Sequence, residues 1–319
     1  MALNILHFEH DRRRQWGVVR GNGIVPVPGD FATTAEFLRA NPLEALAVAT
    51  ATAIDLDAVR ILSPVTCNQQ FICQGANYRQ HMIESGMNPD EKTFNMLFRK
   101  ASSCIVSADA PLRRPSHVRL LDYEIELGLV LKKDVTQPVT ITEADLHHYI
   151  AGLVIVNDYS ARDVQIPQMQ FYKGKSYRSF GPVGPYLCLL ETADFDVLRR
   201  LQLKLSVNGQ TRQEDTTANL VFGPAETLTE LSSIQELCCG DLVATGTPSG
   251  CALRIPSPLV VKLLGLLPER TKWRLFVKAQ SRRAEYLRDG DVVESRIMSD
   301  DGRIDLGVQR NVVVAAGRE

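Results

Sequence analysis

Residues 120–131 read LLDYEIELGLVL, and their alternation decides what kind of chain this is. In an extended strand successive side chains point to opposite faces, so Asp122, Glu124 and Glu126 share one face while Tyr123, Ile125 and Leu127 share the other. The Leu and Val residues around them place at least half of this strand in a core. Three carboxylates carried into low dielectric repel one another and push each other toward protonation. Something must sit among them.

Outward from this strand the pattern repeats. From Phe71 onward the chain is a series of short apolar runs, among them FICQGANY, YIAGLVIVNDYS, VGPYLCLL, LQLKLSVNGQ and DVVESRIM, punctuated by Gly, Pro and Asn. Long amphipathic helical repeats are sparse there, which predicts a β-rich α+β fold rather than a doubly wound sheet. Ahead of it stand two strand-like runs joined at Asn22-Gly23 and an Ala-rich, helix-prone stretch near residues 34–50. These predict a small N-terminal α+β domain over residues 1–63. Pro64 marks the connection to the main domain, residues 64–319.

Composition narrows the function. The 319 residues carry 36 Lys plus Arg against 37 Asp plus Glu, leaving no electrostatic footprint for nucleic acid or an anionic membrane and favouring a small-molecule ligand. No apolar run approaches the length of a membrane span, and the N-terminal residues lack a signal-peptide core. A soluble, cytoplasmic protein is the expectation. Seven cysteines, none in CxxC spacing, suggest reduced and mostly buried thiols rather than a disulfide framework or a zinc site.

A further acid, Asp158, ends the apolar run in VIVNDYSARDVQ, residues 154–165. Hard divalent cations take oxygen ligands, and Mg²⁺ accepts two or three carboxylates while keeping positions for water or substrate. Glu124, Glu126 and Asp158 meet that need, and a dication would offset their repulsion. The same acids could instead pair with Arg119 or Arg162 on a solvated sheet face, and spacing alone leaves both readings open. In GANYRQHMIESG, residues 75–86, His81 and Glu84 share one face of any helical turn. A carboxylate that orients an imidazole makes it a better base toward water, although such pairs also decorate ordinary helix surfaces. In FYKGKSYRSFGPVGP, residues 171–185, two lysines lie beside glycines and prolines; they are either a solvated loop or a source of positive charge for an anionic substrate.

Taken together these segments resemble the fumarylacetoacetate hydrolase superfamily, in its acylpyruvase and 2-hydroxyhepta-2,4-diene-1,7-dioate isomerase-like branch. The blocks GANYRQHMIE, DYEIEL and NDYSARDVQ match the family pattern in order, followed by GKSY, GPVGP, VNGQTRQ and GDLVATGTPSG. The resemblance implies a mixed β-roll catalytic domain. It implies Mg²⁺ or Mn²⁺, with Ca²⁺ as a further alternative, held by Glu124, Glu126 and Asp158. It places His81, Glu84 and Lys175 in catalysis, places Tyr78, Arg162, Gln165 and Thr247 around the substrate, and implies a homodimer. The chemistry so implied is hydrolytic C–C cleavage of an acylpyruvate or related 1,3-dicarbonyl acid. The alternatives are decarboxylation of an oxaloacetate-type acid, dehydration or isomerisation of a 2-keto-3-deoxy acid, and a non-catalytic metal-binding member.

Two departures from the family pattern stand out. Lys175-Ser176-Tyr177-Arg178 replaces the common Lys-Ser-Phe-Asp, which predicts altered charge near the site. An insertion over about residues 254–286 replaces a short link. Pro258 and Pro268 bracket a predicted apolar helix that must bury itself, and the alternation of Trp273, Leu275 and Val277 predicts a half-exposed strand. The insertion is expected over the pocket rim or across the dimer interface, restricting substrate size and favouring an anionic substrate.

Overall fold

The acidic strand is interrupted where its carboxylates begin. In the computed structural model, which describes residues 2–256, 258–315 and 317, Leu121–Asp122 pairs with Ser160–Ala161, and a longer strand, Ile125–Leu131, starts after a short gap. That strand pairs antiparallel with Ile150–Asn157, setting Ile125 opposite Asn157 and Glu126 opposite Val156. Both are buried along their whole length, which is why they read as nearly continuous apolar runs.

Among the described residues these two strands lie inside an 11-stranded mixed sheet. On one side Ile150–Asn157 leads through Tyr186–Leu189 to Leu3–His10 and the other N-terminal strands; on the other, Ile125–Leu131 leads through Leu242–Ala244 and Phe71–Gly75 to Met96–Lys100. A five-stranded sheet, containing Leu201–Val207, Val292–Ser299 and Asp305–Ala315, supplies the second layer. Leu127, Leu129, Leu203, Leu205 and Ile297 fill one core. On the opposite face Val154, Val156, Leu242 and Phe71 pack with Trp16 and Phe37 from the N-terminal region. The β-rich α+β fold is as predicted. The boundary proposed near residue 63 separates segments that share a sheet, since Leu3–His10 is hydrogen-bonded to Tyr186–Leu189.

The insertion differs from its sequence reading in two ways. Pro258–Gly265 is helical as predicted, but Val260 and Leu263 on it remain exposed. The predicted strand at 272–278 is instead part of a helix, Glu269–Gln280. Three alternating apolar residues fit either period; what decides is the fuller set Trp273, Phe276, Val277 and Gln280 at helical spacing. Phe276 and Gln280 are buried, Trp273 and Val277 pack against the main core, and Leu275 faces outward.

Candidate active site

At the ends of the two central strands, one carboxylate oxygen from each of Glu124, Glu126 and Asp158 lies within 4.8 Å of the others, and all three residues are buried. Local backbone pairing causes the convergence. Asn157 Oδ1 accepts the Glu124 N–H at 3.0 Å, and the Asp158 N–H donates to Glu124 O at 2.8 Å. The interrupted acidic strand is thereby stitched to the end of its neighbour. Asp122 turns away from the cluster: it accepts from Arg162 Nε at 2.8 Å and from the N–H groups of Ala252 and Leu253 at 2.7 and 3.0 Å.

Three cations surround the carboxylates. Lys175 Nζ donates to Glu124 Oε2 and Asp158 Oδ2, each at 2.5 Å. Arg162 donates through Nη2 to Glu124 and through Nη1 to Gln165 Oε1, the latter at 2.8 Å. Lys100 donates to the second Asp158 oxygen and, at 2.8 Å, to Phe180 O. Pairing with arginine, one of the two readings open in the sequence, is therefore real for Arg162, but it is buried rather than solvated. Among the described residues it is not seen for Arg119, which is exposed and gives its backbone N–H to Asp163 at 2.7 Å. Lys100 was missed in the sequence; its one signal is that it shares a strand face with Met96 and Phe98.

Charge is unevenly balanced in this cluster. Burial, with Asp158 and Glu124 beside it, pushes the Glu126 carboxyl well above the usual carboxylate range. For Glu124 burial acts the same way but is outweighed by Arg162 and Lys175, which hold it at about 2. Glu126 accepts the Gly246 N–H at 3.0 Å. Gly246 has φ +86, a conformation that glycine adopts without penalty and that aims its amide at the carboxylate. Three close carboxylates form an all-oxygen donor set that fits a hard dication, and the added charge would relieve the repulsion on Glu126.

A cavity of about 450 Å³ opens onto the cluster and is lined by His81, Glu84, Glu124, Glu126, Arg162, Gln165, Lys175 and Thr247, so most of the residues singled out in the sequence come together. His81 lies on the short helix Arg79–Glu84. Burial lowers the His81 imidazole below its ordinary value; Arg162 adds to this, while Glu124 and Glu84 oppose it. A neutral, proton-accepting ring at neutral pH follows. Glu84 acts on that ring through space, its carboxylate accepting from Gln80 Nε2 at 3.3 Å. Thr247 Oγ1 donates to Ile125 O at 2.9 Å and accepts from Gln213 Nε2 at 2.8 Å. Gln213 also accepts the Ile125 N–H at 3.0 Å, and nothing in its sequence context pointed to it. Tyr78 is fully buried in the main core, outside the cavity wall.

The altered residues of the lysine loop lie outside the cavity wall. Arg178 is exposed and neither it nor Tyr177 lines the wall; the Tyr177 hydroxyl is 2.9 Å from His117 Nε2. Cys251 does line it. Burial, with Asp122 and Glu124 nearby, keeps that thiol protonated by raising it well above its ordinary value, so it offers no thiolate nucleophile.

The model of the fumarylacetoacetate (FAA) hydrolase C-terminal domain matches residues 70–314, which contain every residue of this site. The chain belongs to the fumarylacetoacetate hydrolase family of enzymes. Oxaloacetate tautomerase YisK of Bacillus subtilis is 34% identical over 197 residues, covering 61% of this chain and 64% of that protein. The fumarylacetoacetate hydrolase of Exiguobacterium antarcticum superposes with a TM-score of 0.74 at 28% identity, over 98% of this chain and 100% of its own. Maleylpyruvate hydrolase from Sphingobium sp. SYK-6, solved with manganese(II) and pyruvate, has a TM-score of 0.69 at 22% identity, over 98% of this chain and 99% of its own, a likeness of fold. Among the described residues no helix is long and apolar enough to cross a membrane.

Proposed function

We propose that this family member hydrolyses the C–C bond of an acylpyruvate or related 1,3-dicarbonyl acid. The observation that carries the reading is the convergence in one cavity of a buried three-carboxylate cluster and an imidazole kept neutral by burial. Glu124, Glu126 and Asp158 would hold Mg²⁺ or Mn²⁺, which when bound supplies Lewis-acid stabilisation of negative charge on neighbouring substrate oxygens.

The chain's own groups divide the remaining work. His81 takes a proton from water as the water oxygen bonds to the distal carbonyl carbon. Lys175 and Arg162, held by their carboxylates, offer positive charge to the oxygen that becomes anionic. As the bond between that carbon and C3 of the pyruvate part breaks, its electron pair stays with C3, which recovers the proton from His81. A carboxylic acid and pyruvate leave. Gln165, fixed by Arg162, and Thr247 orient the substrate.

A second reading is favoured by the relative named as an oxaloacetate tautomerase. There His81 would move a proton between C3 and the enol oxygen without attack by water. One assay separates these readings: the Mg²⁺ and Mn²⁺ forms are offered acylpyruvates, fumarylacetoacetate and oxaloacetate, and products are followed by NMR. Stoichiometric carboxylic acid and pyruvate support hydrolysis; keto–enol exchange alone supports tautomerisation, and CO₂ release supports decarboxylation. A cytoplasmic homodimer completes the proposal, with sedimentation mass testing the assembly and cell fractionation the location.

A further inference from the structure

The inner end of the cavity is charged, and much of the rest of its wall is apolar. Met96 and Phe98 share a face of the strand Met96–Lys100 with Lys100, which reaches Asp158. The apolar wall thus begins two residues from a group bound to the carboxylate cluster. The Phe98 ring centroid is 5.2 Å from Lys175 Nζ and 5.1 Å from the Phe171 ring, which is tilted against it by 44°. Phe171 begins the short helix that carries Lys175, and Ile166 lies on the helix before it. Both line the cavity.

Two further observations bear on size and charge. A Cβ at Gly75 would stand 2.6 Å from Met96 Sδ, so the missing side chain lets Met96 lie against the neighbouring strand and keeps the cavity wide. The cavity, at about 450 Å³, falls in the range of sites that enclose ligands much larger than pyruvate, roughly 300–1,000 Å³. Its inner cations, Arg162 and Lys175, are already paired with carboxylates, and Arg254 is exposed where it lines the cavity.

We infer that the acyl group of the substrate is a bulky apolar chain or an aryl ring seated against Met96, Phe98, Ile166 and Phe171. A methyl group would leave this wall unfilled, and the two inner cations that a second carboxylate would meet beside it, Arg162 and Lys175, already hold carboxylates. The inference rests on the acylpyruvate reading above and deepens it.

The test uses binding as well as turnover. Affinities of the Mn²⁺-loaded protein for a series of 2-oxo acids, from pyruvate to 2-oxooctanoate and 4-phenyl-2-oxobutyrate, are measured by calorimetry alongside kcat/KM for acetyl-, hexanoyl- and benzoylpyruvate. Each added methylene should tighten binding about fourfold until the wall is filled. Phe171→Ala should flatten the series, and Gly75→Ala, which drives Met96 into the cavity, should shorten the longest chain tolerated. An affinity series that is flat or falls with length overturns the inference, as does tighter binding of 2-oxoglutarate than of 2-oxohexanoate. Length-dependent binding with no acylpyruvate cleaved upholds the apolar wall and removes the hydrolase reading instead.

Discussion

Asn157 Oδ1 accepts the backbone N–H of Glu124 at 3.0 Å, and this side chain-to-backbone bond replaces the ladder bond that the interrupted acidic strand lacks. It sets where Glu124 leaves the sheet and hence how near it comes to Asp158. Asn157→Ala leaves a buried N–H unpaired, which costs about 1–3 kcal/mol. Denaturant unfolding should show that loss, and calorimetry should show weaker Mn²⁺ binding. Unchanged metal affinity would separate Asn157 from the geometry of the cluster.

Glu126 is the carboxyl most strained by its neighbours, burial and the charges of Asp158 and Glu124 all disfavouring its ionised form. Glu126→Gln removes the repulsion and keeps the shape. The protein alone should therefore be no less stable, while divalent binding and turnover should drop sharply. Near-normal Mn²⁺ affinity in this variant would reject the ligand assignment.

Much of this site was legible in the sequence because its acids and bases lie on short segments whose local geometry is fixed by chain direction. Glu124 and Glu126 are two residues apart, and Asp158 follows directly on a strand that pairs with theirs. What was not legible comes from distant segments. Lys100 reaches Asp158 from the far edge of the sheet, and Gln213 reaches both Ile125 and Thr247 from the second sheet. No period within a segment reports such encounters. The insertion misled for a different reason, since Trp273, Leu275 and Val277 satisfy a strand period while Trp273, Phe276, Val277 and Gln280 satisfy a helical one.

Lys100 tests that reasoning. Its side chain is fully buried against Asp158, and Lys100→Met removes one partner of a buried pair, a change that costs about 3–5 kcal/mol where nothing compensates. Lys175 remains on the other oxygen of Asp158, so the loss should lie toward the lower end and shrink further with saturating Mg²⁺. Unfolding curves with and without the ion measure both effects. A variant as stable as the parent without Mg²⁺ would remove Lys100 from the charge balance.

The imidazole of His81 predicts the pH profile. Its value is lowered from the ordinary 6.5, first by burial and then by Arg162. The proton-accepting form is therefore fully present at neutral pH and is lost as pH falls through that lowered value. The acid limb of kcat/KM should inflect below 6.5. His81→Ala should abolish that limb and reduce hydrolysis roughly 10²–10⁴-fold, with decarboxylation less affected. An acid limb that survives the substitution belongs to another group.

Within the insertion, the helix Glu269–Gln280 reaches the cavity wall through Gln280. Gln280, buried at the end of the helix Glu269–Gln280, donates to Arg254 O at 2.7 Å and accepts from the Tyr286 hydroxyl at 2.9 Å. Arg254 and Ile255 line the cavity, so the helix holds that part of the wall without contributing to it directly. Gln280→Ala leaves the Tyr286 hydroxyl and the Arg254 carbonyl without these partners, at a cost of about 1–3 kcal/mol. Freed of its tether, the wall should bind long acyl groups less well while treating acetylpyruvate much as before. The measurement is the ratio of kcat/KM for hexanoylpyruvate to that for acetylpyruvate, which should fall severalfold. Loss of stability with an unchanged ratio would make the helix Glu269–Gln280 a structural brace with no part in choosing the substrate.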